Sequence, residues 1–203
     1  RRERYKALAA MATQDGIGIV LLAHHRQDQA ETFVLQALRG AGPAGLAGMP
    51  KRAERAGILW LRPWLEMPST AIDAYVKRFR LAYVQDGSNA DPRFARSRLR
   101  ERVWPALNSA FEHADASLAA AAALAHESAQ CLAEWGALDL AVCGAEGDRL
   151  VVGPWLALSP ARRANALRHW LRQRMCNGVP NSLVQRLLEE LPGARTGATW
   201  PCG

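Results

Sequence analysis

The apolar run 17–22, Ile-Gly-Ile-Val-Leu-Leu, gives way to Ala23-His24-His25-Arg26-Gln27-Asp28-Gln29-Ala30-Glu31-Thr32, and this junction constrains the fold more than any other stretch. A short apolar run with β-branched residues predicts a buried strand, and Phe33, Leu35 and Leu38 behind the polar stretch predict a helix. The polar stretch is therefore a strand-to-helix turn. In open α/β sheets ligands bind at the carboxyl ends of the strands, where the first turn of the next helix offers free N–H groups. His24, His25, Asp28 and Glu31 crowd into such a turn and make a candidate site. The same spacing fits a plain helix start, with acids in the first turn and nearly a capping box. Both readings stand, and Asp28 can serve both.

Charge narrows the class of partner. Against 19 Asp+Glu stand 26 Lys+Arg, a net charge of +7, which suits a polyanion such as RNA. Only Lys6, Lys51 and Lys77 are lysines, and arginine is the better residue for forked phosphate contacts. Cys131, Cys143, Cys176 and Cys202 show no C-x-x-C spacing, which argues against zinc, an iron–sulfur cluster or a redox dithiol. No run approaches the length of a membrane span, so no membrane partner is expected. The opening Arg1-Arg2-Glu3-Arg4 resembles no signal peptide, and the chain is expected to begin inside a longer protein.

Taken in order, 1–13 reads as a helix with Tyr5, Leu8, Ala9 and Ala12 on one face. Helix, strand and helix form half of a doubly wound α/β unit, so further strands are expected upstream. Behind the second helix, Arg39 rims a loop rich in glycine, from Gly40 and Gly42 to Gly48; it suits either close approach to a ligand or a helix C-cap and turn. Short strands are expected over 58–61 and 82–84, flanking an amphipathic helix over 68–80 capped by Ser69 or Thr70. The cluster from Asp86 to Pro92, which includes Asn89, is a turn at a strand's carboxyl end. Arg93, Arg96, Arg98, Arg100 and Arg102 then make the densest basic patch, with Arg93, Arg96 and Arg100 on one helical face and Leu99 and Val103 toward the core. That face is a phosphate surface or an ordinary solvated one. An Ala-rich helix is expected over 117–140, and two more over 159–174 and 182–191, the former carrying Arg163 and Arg168. The expected division is 1–110, a connecting helix over 111–145, and a mainly helical domain over 146–203.

With those residues quoted, the chain resembles the tRNA(Ile)-lysidine synthetase family of the PP-loop ATP pyrophosphatase superfamily. The family signature H-H-x-D-D-Q-A-E-T followed by R-G-S-G-x-x-G-L-x-G-M is matched by His24 to Thr32 and Arg39 to Met49. A further signature, D-x-S-N-x-D followed by R-N-x-L-R, is matched by Asp86, Ser88, Asn89, Asp91, Arg96, Leu99 and Arg100. Gln27 stands where the family has an aspartate, Ala41 where it has a serine and Ser97 where it has an asparagine. The family's S-G-G-x-D-S pyrophosphate loop is not in the chain, so these residues alone are expected to be inactive.

The resemblance implies an α/β fold: an incomplete doubly wound parallel-sheet PP-loop domain followed by a mainly helical tRNA-binding domain. It implies a cytoplasmic ligase that adenylates the wobble cytidine of the CAU-anticodon isoleucine tRNA with ATP and then joins L-lysine to C2. Asp28, Glu31 and His25 would be catalytic, with Asp28 also a ligand for Mg2+. His24, Arg39, Gly40, Gly42, Asp86, Asn89, Arg96 and Arg100 would bind substrate or nucleotide. Arg93, Arg98, Arg102, Arg163 and Arg168 would bind tRNA, and a homodimer is entertained. The rival readings are a tRNA thiolase of the same superfamily, disfavoured because no cysteine precedes Cys131, and a non-catalytic RNA-binding relative.

Overall fold

Helix α1 (Arg2–Gln14) lays Tyr5, Leu8, Ala9 and Ala12 against Ile58 and Trp60, the face that its periodicity predicts. The computed structural model describes residues 2–84, 91–145, 149–175 and 178–193. Two units divide the chain, Arg1–Ser128 and Ala129–Gly203.

In the first unit, β1 (Ile19–Leu21) pairs in parallel with β3 (Ile58–Leu61), and β2 (Arg52–Arg55) pairs antiparallel on the other side of β3, in the order β1-β3-β2. The expectation of a buried first strand is corrected. Among the described residues β1 lies at the edge of the sheet, Val20 turns toward α1, and the alternate residues Ile19 and Leu21 are 53% and 65% exposed. β2 was not foreseen. It forms a hairpin with β3 through Ala56 and Gly57, both at positive φ (53° and 72°), the backbone of a two-residue turn whose twist suits the strands.

Helix α2 (Arg26–Ala37) crosses from β1, and the short α3 (Pro43–Leu46) follows in the glycine loop. Helix α4 (Ser69–Arg78) starts one residue after the extended Pro68, which takes the N-cap position without a side-chain bond. Ser69 is thus the first helical residue and not a cap. The expected strand over 82–84 is absent: these residues join no ladder, and Val84 is 92% exposed.

Helix α5 (Ala95–Arg98) continues through a π turn (Leu99–Val103) into α6 (Trp104–Ala110). In that turn the Trp104 N–H reaches back five residues to the Leu99 carbonyl. The wider step carries Trp104, and not Val103, into the core beside Leu99 and Ala30; Val103 is 49% exposed, which corrects the expected pattern.

Helix α7 (Ala114–Val142) extends a little beyond the expected 117–140 at both ends. In the second unit α8 (Val152–Leu156), α9 (Pro160–Arg172) and α10 (Asn181–Glu190) close a core of Trp155, Leu167, Leu171, Val184 and Leu187 with Cys143. The wholly buried Asp139 is neutralised by Arg162. No helix among the described residues is long and apolar enough to cross a membrane.

Candidate active site

The first turn of α2 is polar yet buried: Asp28, Gln29, Glu31 and Thr32 all lie inside. His25 sits extended at the N-cap, and its N–H donates to Asp28 Oδ2 at 3.1 Å. The expected pairing of Asp28 with Glu31 three residues on is corrected: Asp28 does cap the helix, but as the third helical residue of a box opened by His25. Its other oxygen, Oδ1, accepts from Arg100 Nη2 at 2.8 Å, so one carboxylate does two jobs.

Glu31 is completely buried, and its Oε1 accepts from Arg100 Nε at 2.6 Å and from Gln27 Nε2 at 3.1 Å. Arg96 Nε lies 3.4 Å from Glu31 Oε2, and Arg96 Nη2 donates to Thr32 Oγ1 at 2.7 Å. That hydroxyl in turn donates to the Asp28 carbonyl at 2.7 Å. Two carboxylates and two guanidiniums, 65 to 72 residues apart along the chain, thus form one lattice of zero net charge. A carboxylate without a partner at the position of Glu31 would cost several kcal/mol, so the arginines are a condition of its burial. Burial pulls Arg100 down, but Glu31 and Asp28 outweigh it and hold the guanidinium above its ordinary value.

The lattice has an inside and an outside. Glu31 shows none of its surface, whereas the side chains of Arg96 and Arg100 are each 33% exposed. The cations are the outward groups, and the carboxylates hold them.

Gln27, which replaces an aspartate of the resembling family, serves as a neutral donor to Glu31 and accepts from Ser69 Oγ at 3.4 Å. The His25 ring stands beside the same cluster, its Nε2 3.5 Å from Asp28 Oδ2, and His24 is half-buried. Gly40, at φ +68°, ends α2: its N–H bonds the Ala37 carbonyl while the Ala41 N–H bonds that of Gln36, a paired C-cap. Gly42 is the extended N-cap of α3, and Arg39 is exposed at the rim.

Arg93 does not share the face of Arg96 and Arg100. It precedes α5 and forks onto Asp91, holding that carboxyl below its usual range. Arg98 donates to the carbonyls of Pro92 and Arg93, both at 2.9 Å, and Arg102 is exposed. In the second unit Arg163 stacks over Trp155, 6.0 Å from the ring centre, and Arg168 donates to Asn181 at 3.1 Å. Asp86 and Asn89 lie outside the described residues.

Asp28 does not fit a resident Mg2+. Its oxygens are taken by Arg100 and the His25 N–H, and among the described residues no group of three His, Cys, Asp or Glu is placed to hold a metal. Two side chains that the structure builds into this cluster escaped sequence reasoning, Gln29 through Met49 and Thr32 through Arg96 and the Asp28 carbonyl. Both lie inside the matched signature, but neither titrates, and a search for acid–base chemistry passes over them.

A parallel strand thus runs into a buried polar helix start that arginines from a later helix lock in place. Residues 1–107 match the PP-loop domain family model, and the chain belongs to that family. Residues 150–202 match a second model, the TilS substrate binding domain. The similar proteins are tRNA(Ile)-lysidine synthases. That of Bordetella pertussis is 42% identical over 177 residues, 84% of this chain and 55% of its own length. The Ralstonia nicotianae protein is 41% identical over 208 residues, 100% of this chain and 43% of its own. An Enterobacter protein is 38% identical over 199 residues, 98% and 46% respectively. The chain spans about half the length of the curated relatives it matches.

Proposed function

We propose that the complete protein is a carbon–nitrogen ligase that joins L-lysine to C2 of the wobble cytidine in the CAU-anticodon isoleucine tRNA at the expense of ATP. In the first step cytidine O2 attacks the α-phosphorus of ATP and pyrophosphate leaves. In the second the lysine ε-amine attacks C2, AMP leaves, and the amine loses a proton. The observation that carries the reading is the Asp28–Glu31–Arg96–Arg100 lattice in a chain whose relatives bear the lysidine synthase name.

The exposed faces of Arg96 and Arg100 offer fixed positive charge to a phosphate or to charge growing on the cytidine oxygen. Asp28 and Glu31 then act as positioning residues: Glu31 is too deeply buried to meet a lysine amine while the lattice is closed. His25, whose ring Nε2 lies 3.5 Å from Asp28 Oδ2, is the candidate to take the amine's proton. Arg39, Gly40, Gly42 and His24 are assigned to nucleotide binding. Mg2+ is assigned to ATP itself, not to Asp28. The 150–202 region, with Arg163 and Arg168, belongs to the tRNA-binding part, and the expected compartment is the cytoplasm.

The test is incorporation of labelled lysine into the CAU-anticodon isoleucine transcript by the complete protein, with release of AMP and pyrophosphate. Lysine transfer that depends on ATP and disappears when the wobble cytidine is changed to uridine is expected. RNA binding without transfer would make the protein a non-catalytic relative instead.

A further inference from the structure

We infer that Gln29 and Arg62 are positioning residues for the reaction proposed above: together they clamp the far end of the glycine-rich loop, 39–49, in the single conformation that turnover requires. Gln29 treats Met49 as a neighbouring strand would. Its Oε1 accepts the Met49 N–H at 2.8 Å, and its Nε2 donates to the Met49 carbonyl at 3.1 Å. Both residues are buried, so no water replaces the amide if it is removed.

Gly48 is fitted to that amide. Its φ of +66° suits glycine, and a Cβ there would stand 2.7 to 2.9 Å from three atoms of the Gln29 side-chain amide. A side chain at residue 48 and the amide at residue 29 compete for one space. The next carbonyl along, Pro50, accepts from Arg62 Nη1 at 2.7 Å, and Arg62 Nη2 donates to the Tyr5 hydroxyl at 3.1 Å. Arg62 is buried, and the partners it holds among the described residues are these neutral oxygens. Burying a cation against neutral acceptors is costly, and the return here is a fixed loop carbonyl tied to α1. At its near end the loop is fixed by the Gly40 C-cap. Gln29 lies between Asp28 and Glu31's neighbour Ala30, so the clamp and the ionic lattice share one helical turn.

The inference rests on the proposed function, and its test separates the two. In the complete protein we would compare Gln29→Leu, Gln29→Glu and Gly48→Ala with wild type. At saturating ATP, lysine and tRNA, Gln29→Leu and Gly48→Ala should each lower kcat at least about tenfold, because small misplacements in a preorganised site are expensive. KM for tRNA should stay within about threefold. Gln29→Glu keeps the acceptor for the Met49 N–H and should be impaired less. Combining Gln29→Ala with Gly48→Ala should be no worse than Gly48→Ala alone, since both break the same interaction. Amide exchange over 39–50 should quicken at least about tenfold in the variants, while α1 and β3 keep their protection.

A kcat within about twofold of wild type in both Gln29→Leu and Gly48→Ala overturns the clamp. A parallel fall in the protection of α1 and β3 also overturns it, since that would mark general destabilisation. The exchange measurement needs no substrate: a wild-type protein that transfers no lysine overturns the proposed function, whereas an active wild type with unaffected variants overturns the clamp alone.

Discussion

Replacing Glu31 with Gln changes one oxygen for an NH2 group and almost no volume, so its cost measures the charge at the centre of the lattice. The native carboxylate holds Arg100 at 2.6 Å and Arg96 at 3.4 Å with no exposed surface of its own. After the change two guanidiniums share Asp28, and one of them faces an amide donor. Removing one partner of a buried pair costs about 3–5 kcal/mol. Both arginines are a third exposed and recover hydration, which lowers the expectation to about 2–3 kcal/mol. The converse change, Arg100→Met, removes the shorter of the two ion pairs of Glu31 and leaves its buried carboxylate with Arg96 and Gln27 only, and should cost more, about 3–5 kcal/mol. Urea titrations followed by circular dichroism, with amide exchange to locate the effect in α2 and α5, give both values. The coupling in the double variant should be at least about 1.5 kcal/mol. A Glu31→Gln protein within about 0.5 kcal/mol of wild type, or an Arg100→Met protein more stable than Glu31→Gln, would refute the reasoning.

Three further outcomes are expected. Gly136 in α7 packs so closely on α9 that an added Cβ would stand 2.7 Å from the His169 Cβ, which is tethered to its backbone. Gly136→Ala should therefore destabilise the second unit by about 1 kcal/mol, overpacking exceeding the gain in helix propensity, and a raised melting temperature would contradict this. Removing Arg93, Arg98 and Arg102 together should weaken tRNA binding and flatten its salt dependence, by roughly 0.7–0.9 of slope for each phosphate no longer neutralised; an unchanged slope would make them solvated surface. Burial, reinforced by Asp139, holds the Cys143 thiol above its usual range, so at pH 8 native protein should be alkylated at the exposed Cys131 and spared at Cys143, as mass spectrometry of the digested protein would show.

What could be read from the sequence was the part that repeats. The apolar face of α1, the turn into α2 and the presence of the long helix α7 follow from periodicity, turn residues and composition, and the structure agrees. β2 did not announce itself, because Arg52-Ala53-Glu54-Arg55 is an edge strand whose charges protect it and hide its β character. Val103 was misplaced because a 3.6-residue period was assumed across a π turn. For the site, residue types were legible but partners were not. Asp28 and Glu31 can be seen to need cations, yet nothing local says that Arg100, and not Arg93, supplies one.

That choice is made by apolar packing. Leu99 and Trp104 pack on Ala30 with Val34 and Leu35 against them, and this core fixes the register of the later helix on α2. Arg96 and Arg100, four residues apart and on either side of buried Ser97 and Leu99, are thereby brought over the two carboxylates. Arg93, one turn earlier, falls outside the helix and meets Asp91 instead. The hydrophobic face therefore selects which arginines of a dense patch become part of the site, and disturbing Leu99 should unpair Glu31 without touching a charged residue.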